Sequence, residues 1–244
     1  MSERSRLDKY LVESGLMNSR SEAQAAIDAG KVMVNGRVAS KANQKVSPED
    51  DIMAEKAHPY VSRAALKLIS ALDKFDVSAR AKVCLDVGCS TGGFTEVLLE
   101  RGGSQVYAVD VGTDQFHHRL RSDERITLYE QTDARHLTRN EIDKDVDLIV
   151  CDASFIGLEK VLMPAISFLK PDGDMLLLFK PQFQVGRKAV GKGGVVSDED
   201  AIETARLAFT DWLGQNDFIV KGWAPSPITG SDGNQEWLVW SRRR

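Results

Sequence analysis

Val83-Cys84-Leu85-Asp86-Val87-Gly88-Cys89-Ser90-Thr91-Gly92-Gly93-Phe94 begins as a short apolar run and ends in a glycine-rich turn. An apolar stretch of helical period follows. A strand that passes through such a turn into a helix is the entry to an open α/β sheet, whose ligands bind at the carboxyl ends of the strands. Six further apolar runs follow at intervals: 106–109, 126–128, 146–150, 175–179, 218–220 and 237–240. Seven strands alternating with helices predict an α/β, doubly wound, Rossmann-like sheet. The last two runs are close together, joined through Pro225-Ser226-Pro227 and Gly230 to Gly233, which predicts a terminal antiparallel hairpin. Before the first strand, Ala65, Leu66, Ile69 and Leu72 mark the apolar face of a helix.

The chain before residue 57 has a different pattern. Leu7, Leu11, Leu16, Ala23, Ala26 and Ile27 suit two short helices, the first of which takes in Arg6-Leu7-Asp8 and ends at Gly15. Asn18 or Ser19 caps the second, with Glu22 three residues after Ser19, and Gly30 ends it. Val32, Val34 and Val38 then alternate around Asn35-Gly36, a hairpin signal. The expected organisation is a small α+β domain over 1–56, a linker over 57–61 and the large sheet domain over 62–244.

The chain has 244 residues, 42% of them hydrophobic, and a net charge of −4. Residues 1–48 contain eight bases and five acids, a net +3, which leaves −7 for the rest. A basic arm on an acidic body suggests a polyanion-binding part and a working part. The bases placed to contact such a polyanion are Arg4, Arg6, Lys9, Arg20, Lys31, Lys41 and Lys45. Reversing Arg4, Arg6 and Arg20 should then weaken binding with little effect on the fold. No run approaches the ~18 apolar residues of a membrane helix. The start has no apolar core of a secretory signal, so a cytoplasmic location and no membrane partner are expected. Cys84, Cys89 and Cys151 form no C-x-x-C pair and read as buried small hydrophobes.

The chemistry concentrates at strand ends. The turn after the first strand (Asp86, Gly88, Ser90, Thr91, Gly93 and Phe94) differs from G-x-G-x-x-G, because Ser90 occupies the second glycine position. An acid directly before the turn suits a ligand with a cationic amine, such as the methionine part of S-adenosylmethionine. Asp110 and Val111, after the second strand, are placed for the ribose hydroxyls of a nucleoside. Asp133 and Ala134, after the third, are placed for an adenine. Asp152 ends the fourth strand and Lys180 the fifth. Lys67 lies on the helix before the sheet and Glu236 begins the last strand, so the order is Lys-Asp-Lys-Glu. Residues 186–193 nearly match a phosphate loop but place Gly193 where a hydroxyl is required. Residues 184–195 read instead as a basic loop that either contacts RNA or is plain surface.

With these residues in view, the body resembles the FtsJ-like ribose 2′-O-methyltransferases, which use a Lys-Asp-Lys-Glu tetrad. The N-terminal stretch resembles the RNA-binding domain first seen in small-subunit ribosomal protein four. The combination is similar to the TlyA, or haemolysin A, family. It is carried by YVSRAALKL, LDVGCSTGGFTEVLL, CDASFI, LFKPQFQVG and SPITGSDGNQEW. The resemblance implies a class I methyltransferase sheet, S-adenosylmethionine as cofactor and ribosomal RNA or ribosomal subunits as partner, with a cytidine ribose as target. It also implies Lys67, Asp152, Lys180 and Glu236 as the catalytic set. Lys180 is the expected general base, with burial and the nearby Lys67 favouring its neutral form. Asp152 and Glu236 are expected to hold the two lysines in place. No metal is expected, since the sulfonium carries its own charge. A non-catalytic RNA-binding or assembly factor, and a membrane-lytic protein, are the alternatives.

Overall fold

The computed structural model describes residues 4–17 and 19–244. The chain divides into two compact units, residues 1–63 and 64–244, the division falling just beyond the expected linker.

The first unit opens with a two-residue strand, β1 (Ser5–Arg6), paired with β4 (Lys45–Val46). Arg6 therefore precedes the first helix, α1 (Leu7–Glu13), and is not part of it. In α2 (Arg20–Asp28) the Ser19 hydroxyl accepts from the Glu22 amide at 3.2 Å, closing one of the open N–H groups of the first turn. Asn18, the alternative cap, lies outside the described residues. Asn35 and Gly36 both have positive φ (51° and 74°), the requirement of a type I′ turn. They join β2 (Val32–Val34) to β3 (Arg37–Val38), and β5 (Ile52–Ala54) flanks β2 on its other edge. Leu7, Leu11, Met17, Ala26, Ile27 and Val32 close a small core.

The second unit holds α3 (Ala64–Phe75), β6 (Val83–Val87), α4 (Gly93–Glu100), β7 (Gln105–Val109), α5 (His118–Arg121) and β8 (Ile126–Tyr129). The chain continues through β9 (Val146–Cys151), α6 (Leu158–Ala165), β10 (Leu169–Phe179), α7 (Pro181–Gln184), α8 (Glu199–Gln215), β11 (Phe218–Pro225) and β12 (Trp237–Arg243). The sheet runs β11-β12-β10-β9-β6-β7-β8. The expected seven strands all form, and β12 lies antiparallel between β10 and β11, which gives the terminal hairpin. Strand order reverses between β6 and β9, so a crevice opens at their carboxyl ends. The central strands bury both faces, as parallel strands covered by helices do: Leu148, Ile149, Val150 and Cys151 are all fully enclosed. All three cysteines are buried, and burial pushes their thiols up. Among the described residues, no helix is long and apolar enough to cross a membrane.

One buried charge organises the first unit. Asp8, on α1, is almost wholly enclosed. Arg6 reaches it with Nε at 2.9 Å and Arg20 with Nη2 at 2.6 Å. The hydrogen bond from Arg6 leads in lowering the Asp8 carboxyl to about 2. Arg20 thus ties α2 to α1 and Arg6 completes the pairing of Asp8, and the expectation that both can be reversed without harm to the fold is corrected. Asp8 is depressed relative to the unfolded chain, so its contribution is complete above about pH 4 and is lost as pH falls towards about 2. Replacing Arg6 and Arg20 together by glutamine should destabilise this unit by about 1–3 kcal/mol, because a buried acceptor loses its partners. Amide hydrogen exchange of α1 and α2 in the full chain should show the loss of protection, and Asp8→Asn should remove the acid dependence.

Candidate active site

Sheet register brings three of the four tetrad positions together, and α3 adds Lys67. Phe179 pairs directly with Trp237, so Lys180 and Glu236 follow and precede a matched pair on adjacent strands. Leu177 pairs with Cys151 and Val87 with Cys151, which sets Asp152 between the end of β10 and the glycine turn after β6. Lys180 Nζ lies 2.6 Å from Asp152 Oδ1 and donates to the Asp152 carbonyl at 3.0 Å and to Ser154 Oγ at 2.7 Å. Lys67 Nζ donates to Glu236 Oε2 at 2.5 Å, and both side chains are buried. Burial raises the Glu236 carboxyl against the opposing pull of Lys67 and Lys180. The two ion pairs are therefore within electrostatic reach of each other. Lysines and carboxylates this enclosed persist as pairs, since an isolated buried charge is far costlier.

A cavity of about 990 Å³ opens beside Asp152. Its wall includes Gly88, Ser90, Asp110, Val111, Asp133 and Ala134, which the sequence assigned to a nucleoside. Gly88 has φ +82°, and a Cβ there would lie 2.9 Å from Ala153 Cα and N. Only glycine lets the two strand ends approach so closely. Asp110 accepts the Ser90 amide at 2.8 Å and the Gly112 amide at 2.7 Å, which fixes its carboxylate and leaves lone pairs for two hydroxyls. Asp133 is held by Arg135 through Nη2 at 2.5 Å, and that hydrogen bond lowers its carboxyl to about 2.

Other assignments differ. Asp86 is fully enclosed and stands behind the cavity wall, with Oδ2 accepting from Thr95 Oγ1 at 2.7 Å and Oδ1 without a partner among the described residues. Burial pushes its carboxyl up to about 7. Thr91, Gly93 and Phe94 also lie off the wall, because the chain has turned into α4 and Phe94 packs into the core. Ser154, Phe155, Gln182 and Arg187 line the cavity unanticipated. Ser154 and Phe155 directly follow Asp152, and Gln182 lies two residues past Lys180, so nearness to the tetrad was the available signal.

Residues 60–243 match the model of the FtsJ-like methyltransferases, and residues 5–52 match the S4 domain. The chain is 41% identical to the 16S/23S rRNA (cytidine-2′-O)-methyltransferase TlyA of Mycobacterium tuberculosis over 99% of its own length and 91% of that protein's. The chain belongs to the TlyA family of FtsJ-like methyltransferases.

It is also 35% identical to the 23S rRNA (cytidine-2′-O)-methyltransferase TlyA of Campylobacter jejuni, over 95% of this chain and 97% of that one. A solved structure titled "Putative hemolysin from Streptococcus thermophilus" superposes with a TM-score of 0.79 at 34% identity, covering 100% of this chain and 90% of that chain. Within this TlyA-family chain the S4 residues expected to contact RNA differ in how free they are. Arg6 and Arg20 are bound to Asp8, Lys9 pairs with Glu13 at 3.3 Å and Lys31 with Glu55 at 3.2 Å. Arg4 lies within electrostatic reach of Asp50. Lys41 and Lys45 are exposed, with no ion pair among the described residues.

Gly88→Ala should carry about 1–3 kcal/mol of backbone strain before any clash is counted. The clash with the Ala153 backbone adds to this and parts Asp152 from the turn. Thermal unfolding should shift down, and an unchanged midpoint would contradict the close approach.

Proposed function

We propose that the protein transfers a methyl group from S-adenosylmethionine to the ribose 2′-hydroxyl of a cytidine in ribosomal RNA, in the cytoplasm. The observation that carries this reading is the pairing of Lys180 with Asp152 and of Lys67 with Glu236, with Asp152 also lining the cavity of about 990 Å³. The activity in the names of its full-length TlyA relatives supports the target.

The residues present fit the cofactor. Gly88 and Ser90 line the cavity after β6, and Asp110, with both oxygens already oriented by backbone amides, suits a ribose diol. Asp133 and the Ala134 amide suit an adenine edge, and the buried Asp86 carboxylate offers a counter-charge to an ammonium group. When bound, the cofactor supplies a methyl on an already cationic sulfur. The chain's own residues then have to orient a hydroxyl and remove its proton. Orientation alone can supply a large part of the rate. Lys180, fixed by Asp152 and Ser154, is the group placed to take the 2′ proton. Lys67, held by Glu236, keeps positive charge near the oxygen as it becomes negative.

Lys180→Ala should lower methyl transfer by ~10²–10⁴-fold. Lys180→Arg should fail as fully, because a guanidinium keeps its proton. Labelled methyl transfer to ribosomal subunits measures both, and near-normal turnover by Lys180→Arg would contradict the base assignment. A second expectation follows from Asp86. Its ionised form strengthens as pH rises through about 7, so cofactor affinity should rise from pH 6 to pH 8 by up to roughly tenfold. Asp86→Asn should flatten that dependence, as read by titration calorimetry.

A further inference from the structure

The loop between α7 and α8 is basic, yet it belongs to the acidic body. Arg187, Lys188 and Lys192 fall within six residues, and residues 185–197 contain no acid. All three are exposed, and no ion pair engages them among the described residues. The loop starts at the cavity itself, where Val185, Gly186 and Arg187 form part of the rim. It closes on itself through the Gly191 amide to the Val195 carbonyl at 2.9 Å.

Its far end is anchored by an unusual tie. Asn234 is buried, in a turn two residues before Glu236. Its Oδ1 accepts from the Val196 amide at 2.9 Å and its Nδ2 donates to the Gly194 carbonyl at 2.9 Å. This donor and acceptor pair fixes the amide orientation. The same turn is knitted to the tetrad on two other sides. Gly230 donates to the Asn234 carbonyl at 2.9 Å, and a Cβ on Gly230 would come within 2.8 Å of Glu236 Oε1. Asp232 accepts from Gln182 Nε2 at 3.0 Å, two residues past Lys180. The basic loop, the Glu236 turn and the segment after Lys180 are thus one hydrogen-bonded unit.

We propose that this loop is a second RNA-contacting surface, which grips phosphates flanking the target nucleotide, and that Asn234 is the positioning residue linking it to Glu236. The inference rests on the reading of the site as an RNA ribose methyltransferase. Charge explains the partner: three exposed cations with no ion pair among the described residues, one of them, Arg187, on the cavity wall, favour a phosphate backbone in an otherwise acidic body. The tie explains the placement. The glycines give the loop little stiffness, and Gly193 and Gly194 both have positive φ (85° and 84°). Asn234 supplies the fixed point, so a phosphate held by Lys188 or Lys192 has a defined distance to the tetrad.

The test uses the full chain, ribosomal RNA and two sets of variants. Lys188→Ala/Lys192→Ala removes two phosphate contacts far from the tetrad's hydrogen bonds. RNA affinity should fall about 3–10-fold and the slope of log affinity against log salt should flatten by roughly 1.5 units, with cofactor affinity unchanged. Unchanged RNA affinity and slope would overturn the contact surface. Asn234→Ala should lower kcat at least about tenfold at saturating RNA, with KM for RNA within about threefold and the thermal midpoint of the body retained. Asn234→Asp keeps the acceptor for Val196 and loses the donor to Gly194, so its kcat should fall between the two. A kcat equal to wild type in Asn234→Ala, or a kcat loss matched by loss of fold in both Asn234 variants, would overturn the positioning role. Wild-type turnover in the same assay separates the claims: no methylation by wild type refutes the activity itself, whereas active wild type with unaffected variants refutes only the loop.

Discussion

Two buried ion pairs set the terms for the larger unit. Lys180–Asp152 and Lys67–Glu236 place four charges where water is largely excluded, and each is tolerable only because its partner is within 2.6 Å. That proximity is a property of the sheet. Three of the four residues stand at the ends of β9, β10 and β12, and their separations follow from which residues pair across the strands. The fourth arrives on α3, ahead of the sheet. A one-residue slip of β12 against β10 would turn Glu236 to the other face and leave Lys67 unpaired, so the packing of the sheet and the chemistry of the site are the same constraint.

The carboxyl-end crevice follows from the same topology. Strand order reverses between β6 and β9, and Gly88 lets the two strand ends meet without a side chain between them. The aperture that results has Asp110 and Asp133 on its β7 and β8 side, and Asp152, the partner of Lys180, at the end of β9. One half suits a cationic nucleoside cofactor and the other suits a hydroxyl that has to lose a proton. Neither half would serve alone, since the transfer requires both reactants in line.

Much of this was legible in the sequence, for physical reasons. The seven apolar runs were readable because central strands bury both faces and so become nearly continuous in hydrophobic residues. The tetrad was readable because each charged residue abuts such a run. Long-range partnership was not. Asp86 looked like a ligand contact, yet the structure encloses it behind the wall and gives it Thr95 as partner, a contact between a strand and the following helix that spacing does not announce. Arg6 and Arg20 looked like free RNA-binding charges, but Asp8 engages them both, Arg20 from twelve residues away in sequence. The tie from Asn234 to Gly194 and Val196 spans about forty residues, beyond any local pattern. Net charge in the first 48 residues therefore overstated the free positive surface, while the acidic total of the body concealed its basic loop.

The central claim is that the acceptor is a ribose oxygen and not a base atom. The most direct measurement is mass spectrometry of nucleosides from ribosomal subunits treated with the protein and a deuterated methyl donor. The account predicts labelled 2′-O-methylcytidine, in which cleavage of the glycosidic bond leaves the label on the sugar and the free base unlabelled. Label retained on the base would contradict it.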